Sequence, residues 1–212
     1  MDLTLTLAFV VAHPDDDAYG IAGTVALHAA DPPVPVRPGP CRIPPAELAA
    51  AVAAVLEEEQ PTVVGTFGPD GVFGHPDHIA IGAATDAAFM RHASDSGLAF
   101  RRLLHGAVPQ SVFERWNRQR AARGLAVFDP TAMYHMRGVP DEEIGVEVDC
   151  TDVTDRIVAG LQEHRSQLHV MSDDPTDTDR WRRVVATEWA VVAWPPRGPD
   201  EPRLRSGFEG LL

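Results

Sequence analysis

Two apolar runs, residues 3–12 and 62–67, each end ahead of a turn carrying the same tripeptide, His-Pro-Asp. This repeat restricts the fold more than any other feature of the chain. The first run alternates through Leu3, Leu5 and Leu7 and then becomes continuously apolar, the pattern of a strand buried on both faces. His13-Pro14-Asp15-Asp16-Asp17 follows it; His75-Pro76-Asp77-His78 follows the second run and its Gly68-Pro69-Asp70-Gly71 turn. Proline at a first helical position, with an acidic residue beside it, makes each tripeptide a helix start. Strands that feed helices predict a mainly parallel sheet covered on both faces.

Further helices are predicted over residues 18–30, 46–60, 77–93 and 111–124, the last opened by a capping box at Ser111 and Glu114. Two more are expected from 151 or 152 to about 169 and from 179 to about 194, where Trp181, Val184, Val185 and Trp189 form a helical stripe. Strands are expected over 101–108 and 143–150. Residues 31–45 hold seven prolines and read as a loop. No solenoid-like period is present, and one domain over 1–212 is expected.

A net charge of −13 sets the protein against phosphate backbones, so nucleic acid is not expected as a partner. Cys41 and Cys150 form no spaced thiolate pair, which suits a reducing compartment. No run approaches the roughly 20 apolar residues of a membrane span. Residues 3–12 lack a basic lead and a small-residue cleavage site, so they suit a first strand better than a signal peptide. A cytoplasmic enzyme is expected, with homo-oligomerisation left open.

The two tripeptides carry the chemistry. His13 and Asp16 are three residues apart, as are His75 and His78. At a helix start that spacing puts two side chains on one face. The carboxyl ends of parallel strands are where ligand sites form, so both segments can meet at one edge of the sheet. Imidazole and carboxylate suit zinc, and three protein ligands with one open position mark a catalytic site; ferrous iron or cobalt would accept the same donors. A single His-Pro-Asp is an ordinary helix start. Two copies after two strands, each with a further Asp or His three residues on, are not.

His13-Pro-Asp-Asp-Asp17 together with His75-Pro-Asp-His78 resembles the signature pair of the PIG-L/LmbE-like zinc deacetylase family. The likeness continues in Thr66-Phe-Gly-Pro-Asp-Gly71 and in Glu163-His-Arg-Ser-Gln167. It implies a Rossmann-like three-layer αβα fold, shortened in the middle, because residues 31–45 stand where family members carry a strand, a helix and a further strand. It implies His13, Asp16 and His78 as zinc ligands, Asp15 as general base, His75 as the group that steadies the oxyanion, and Asp77 as the orienter of an imidazole, that of His75. The implied reaction removes an N-acetyl or other N-acyl group from an amino sugar or its conjugate. A protonated His75 would complement charge that develops only in the transition state. The family's Thr-Arg-Gly-Glu-like substrate segment has no counterpart; Phe73 stands where relatives often have Tyr, and Asp17 where Glu is usual. Two alternatives follow from the shortened middle: a metal-binding pseudoenzyme, and an amidase for a non-sugar conjugate.

The remaining histidines read as surface or structural residues, His164 least so. The acidic stretch 173–179 lacks the glycine and alternation of a calcium loop. No serine-hydrolase elbow, P-loop or dinucleotide fingerprint occurs.

Overall fold

The computed structural model describes residues 5–13, 15–28, 42–94, 96–165, 167–168, 174, 176–198 and 200–211, without the side chains of Asp17 and Tyr19. Most of the expected loop at 31–45 lies outside the described residues, as do Ser166, His169 and parts of the acidic stretch 173–179. The strands are β1 (Leu7–Phe9), β2 (Val63–Phe67), β3 (Arg102–Gly106), β4 (Ile144–Asp149) and β5 (Thr187–Trp194). The helices are α1 (Asp16–Gly20), α2 (Ala22–His28), α3 (Pro45–Glu59), α4 (Gly71–Gly74), α5 (Pro76–Phe89), α6 (Gln110–Ala122), α7 (Thr154–Glu163) and α8 (Thr178–Val185).

The strands form one sheet in the order β1-β2-β3-β5-β4. β1, β2 and β3 pair in parallel, while β5 runs antiparallel to both β3 and β4. The mainly parallel α/β sheet is as the alternation of elements implied. Side-chain alternation along the central strands builds two cores. Val64 and Leu103 enter one, with Leu48, Val52 and Leu56 of α3 and Ile81, Ala88 and Phe89 of α5. Val63 and Leu104 enter the other, with Val146, Val148, Val192, Ile157, Val158, Leu161 and Trp181. The result is helix, sheet and helix in three layers.

Three expectations are corrected. Residues 179–194 are a helix followed by a strand: α8 stops at Val185, and Trp189 lies on β5, paired with Glu147. The capping box at Ser111 is absent, because α6 starts at Gln110 behind Pro109 and the Ser111 N–H donates to Asp141 Oδ1 at 2.9 Å. The helix expected from residue 18 is divided into α1 and α2 at Ile21.

Candidate active site

β1 and β2 are parallel neighbours, with Phe9 beside Gly65. Their carboxyl ends therefore open side by side, and the two His-Pro-Asp loops meet there. Each loop is shaped by its own residues. In the first, Asp16 is the first residue of α1, and its Oδ2 accepts from the N–H groups of Ala12 (3.0 Å) and His13 (2.7 Å). That pair of bonds turns the chain back and fixes the carboxylate. In the second, His75 is the N-cap of α5: its Nδ1 accepts the Asp77 N–H at 3.0 Å, and Pro76 occupies the next position. His78, the third residue of α5, is 1% exposed. It stacks on Phe67 (ring centroids 3.9 Å) and meets Phe73 edge-on at 4.6 Å.

Three donor atoms converge. His78 Nε2 is 3.2 Å from Asp16 Oδ1 and 3.3 Å from His13 Nδ1, and His13 Nδ1 is 3.6 Å from Asp16 Oδ2. Ligands about 2.0–2.1 Å from a tetrahedral ion stand roughly 3.3 Å apart, so His13, Asp16 and His78 fit a metal ion. His13, His75 and Asp77 form a second compact group. It suits an ion less well, because His75 Nδ1 is already an acceptor for Asp77 and the His13–Asp77 contact is a 3.0 Å hydrogen bond.

The geometry corrects one expectation. Asp77 orients His13, not His75: its Oδ2 is 3.0 Å from His13 Nε2 and 4.0 Å from His75 Nδ1. A proton on His13 Nε2 leaves the Nδ1 lone pair facing Asp16 and His78, the arrangement in which a carboxylate fixes the tautomer of a ligating histidine. The surroundings of His75 disfavour the protonated form. Burial lowers its pKa first, then the neighbouring imidazoles of His78 and His13, against the pull of Asp77 and Asp16. With Nδ1 accepting, its proton is on Nε2, so it still offers a donor. Asp15 is the N-cap of α1 by position, yet its carboxylate accepts no capping hydrogen bond. His13 is not helical, so the paired donors of the first loop come from a turn rather than a helix face.

Sequence reasoning missed Phe67, the stacking partner of His78, and the loop bearing Tyr134 and Arg137. Tyr134 meets His75 edge-on at 5.3 Å. No periodicity or motif marks that stretch. Histidines set aside at the outset have structural partners: His105 Nε2 is 2.8 Å from Asp86 and His92 Nε2 is 3.0 Å from Glu57.

A family model described as GlcNAc-PI de-N-acetylase (PIG-L) matches residues 38–89. Among curated proteins, the 1D-myo-inositol 2-acetamido-2-deoxy-alpha-D-glucopyranoside deacetylase of Mycolicibacterium vanbaalenii is 35% identical over 139 residues, covering 60% of this chain and 44% of that protein. The enzyme of the same name from Saccharomonospora viridis is 31% identical over 175 residues, covering 78% and 59%. The matched region thus spans less than two thirds of either relative. Among solved structures, GalB, the 4-carboxy-2-hydroxymuconate hydratase of Pseudomonas putida, has a TM-score of 0.57 at 14% identity, covering 93% of this chain and 100% of that one. A conserved protein of Thermus thermophilus has a TM-score of 0.54 at 17% identity, covering 94% and 100%. These two share the fold, and the sequence matches together with the paired loops make the chain similar to the PIG-L/LmbE-like family.

Proposed function

We propose that the protein is a zinc-dependent hydrolase that removes an N-acetyl or other N-acyl group from an amino sugar or its conjugate. The observation that carries this is the convergence of His13 Nδ1, Asp16 and His78 Nε2 at mutual distances of 3.2–3.6 Å at the carboxyl ends of β1 and β2. Zinc bound there would lower the pKa of a water from about 15.7 to about 7 and polarise the amide carbonyl.

The chain's own residues do the rest. Asp15, next in sequence to Asp16 and free of a capping bond, takes a proton from the attacking water and returns it to the leaving amine. His75, its Nδ1 accepting from the Asp77 N–H, donates from Nε2 to the carbonyl oxygen as charge builds on it. Asp77 holds the His13 ring. The relatives named as deacetylases of an acetamido-glucopyranoside support an N-acetylated sugar conjugate as the small-molecule substrate. The two-imidazole, one-carboxylate donor set accepts zinc, ferrous iron or cobalt, and hydrolysis without a redox step suits zinc. The apolar clusters on both faces of one sheet support a single domain over 1–212, and the sparse cysteines favour the cytoplasm. Among the described residues no helix is long and apolar enough to cross a membrane.

The test is acetate release from N-acetylglucosamine conjugates, with and without chelator, with metal content read on the same sample. Zinc-dependent release is expected. Asp15→Asn should keep its zinc and lose at least about a hundredfold in turnover; full activity in that variant refutes the base assignment. A second reading, metal binding without hydrolysis, is favoured by the proline-rich residues 31–45, which stand where the resemblance implies a strand, a helix and a further strand. Bound zinc without turnover of any N-acyl compound would select it.

A further inference from the structure

We propose that Arg137 forms an anion subsite at the rim of the candidate metal site, taking a carboxylate or phosphate borne by the substrate. Placement is the first argument. The Arg137 N–H donates to Val72 O at 3.0 Å and the Tyr134 N–H to Phe73 O at 2.8 Å, so this loop is fastened to α4, immediately before His75. The Tyr134 ring stands edge-on to His75, and the guanidinium lies against Gly74, where a Cβ would come within 2.5 Å of Nη2. The cation is therefore one residue from the proposed oxyanion donor.

Charge is the second argument. Arg137 is half-buried, its Nε is buried without a hydrogen-bond partner, and no carboxylate among the described residues pairs with it. This happens in a chain whose acids outnumber its bases 31 to 18. Arg102, whose Nε is also buried and unpartnered, shows the contrast: its Nη1 donates to Gly207 O at 2.6 Å and Glu209 O at 3.0 Å. A buried guanidinium N–H without an acceptor is costly, and the guanidinium fork matches the paired oxygens of a carboxylate or phosphate. The net charge of the protein does not cancel it, because screening limits distant charges to roughly 8–10 Å.

The backbone is the third. Val72 (φ 66°) and Tyr134 (φ 64°) both occupy the left-handed region, which is unfavourable for a β-branched or bulky residue. Such strain gathers at ligand sites, where surrounding bonds hold it, and here the two strained residues belong to the two segments that frame Arg137.

Binding is tested with compounds that carry no amide: glucosamine, glucosamine 6-phosphate and muramic acid, titrated calorimetrically into the zinc-loaded protein. At least one anionic sugar should bind about tenfold or more tightly than glucosamine, and the stronger of the two tells phosphate from carboxylate. Arg137→Met keeps the aliphatic stem and should abolish that preference; Arg137→Lys should restore part of it. Equal binding of all three sugars by the wild type, or a preference unchanged in Arg137→Met, overturns the subsite. Zinc content of each variant separates loss of the subsite from loss of the fold. The choice of a substrate-borne anion rests on the hydrolase reading, which is tested apart: no turnover of any N-acyl compound, N-acetylglucosamine 6-phosphate included, with the binding preference intact, would sink that reading and leave the subsite standing.

Discussion

Asp77 shows how a single carboxylate can decide which atom of a histidine is available. By accepting a hydrogen bond from the His13 Nε2–H it leaves Nδ1 to face Asp16 and His78. Partners of this kind typically account for about 10–100-fold in metal affinity. Asp77→Ala should therefore weaken zinc binding by about that factor in competition with a chelator of known affinity, with the ligands themselves intact. Unchanged affinity would show that the His13 ring is held by other contacts. The cluster of candidate donors was legible in the sequence because the tripeptides bring His13, Asp16, His75 and His78 in chain order. The partner of Asp77 was not. His13 and Asp77 are 64 residues apart, and whether the carboxylate turns to His13 or His75 depends on how two loops cross. The lowered pKa of His75 was likewise out of reach, since it follows from burial and from two imidazoles brought close by folding.

At the scale of elements, β5 and α2 are joined by one buried carboxylate. Glu188 accepts from the N–H groups of Gly23 (2.6 Å) and Thr24 (2.9 Å) and from the Thr24 hydroxyl (2.6 Å), at the start of α2. Burial raises its pKa above the ordinary 4.5, and these three donors only partly offset that. The native state therefore holds the proton to higher pH than the unfolded chain. Any stability from protonation is complete below about pH 4.5 and is lost as pH rises through the higher native value. Urea unfolding of the wild type and Glu188→Gln should thus show the wild type losing ground to the variant from pH 4.5 to 7; a difference that grows in the wild type's favour would contradict the shift. Glu188→Ala, which strands three donors, should cost about 2–4 kcal/mol at any pH in that range. The sequence hid this junction because Trp181, Val184, Val185, Glu188 and Trp189 keep a helical spacing straight through Ala186. Periodicity cannot separate a short apolar strand from the end of a helix. Strands whose neighbours alternate more plainly, such as β4 with buried Ile144, Val146 and Val148, were readable.

For the whole molecule, the parallel pairing of β1 and β2 turns a local motif into a long-range clasp. His13 and Asp16 come from the loop after β1, and His78 from the helix after β2, so an ion held by all three ties together segments that the unfolded chain keeps far apart. Such an ion binds the folded state and not the unfolded one, and at a hundred times its dissociation constant it stabilises by about 2.7 kcal/mol. For a chain of 212 residues that corresponds to a rise in Tm of about 5–11 °C. Thermal unfolding of chelator-treated protein, repeated after zinc is restored, should show this rise, and His78→Ala should abolish it. The same rise in His78→Ala would place the stabilising ion elsewhere. If magnesium raised the Tm as far as zinc, it would point to an oxygen-rich site instead, since two imidazoles favour the softer ion.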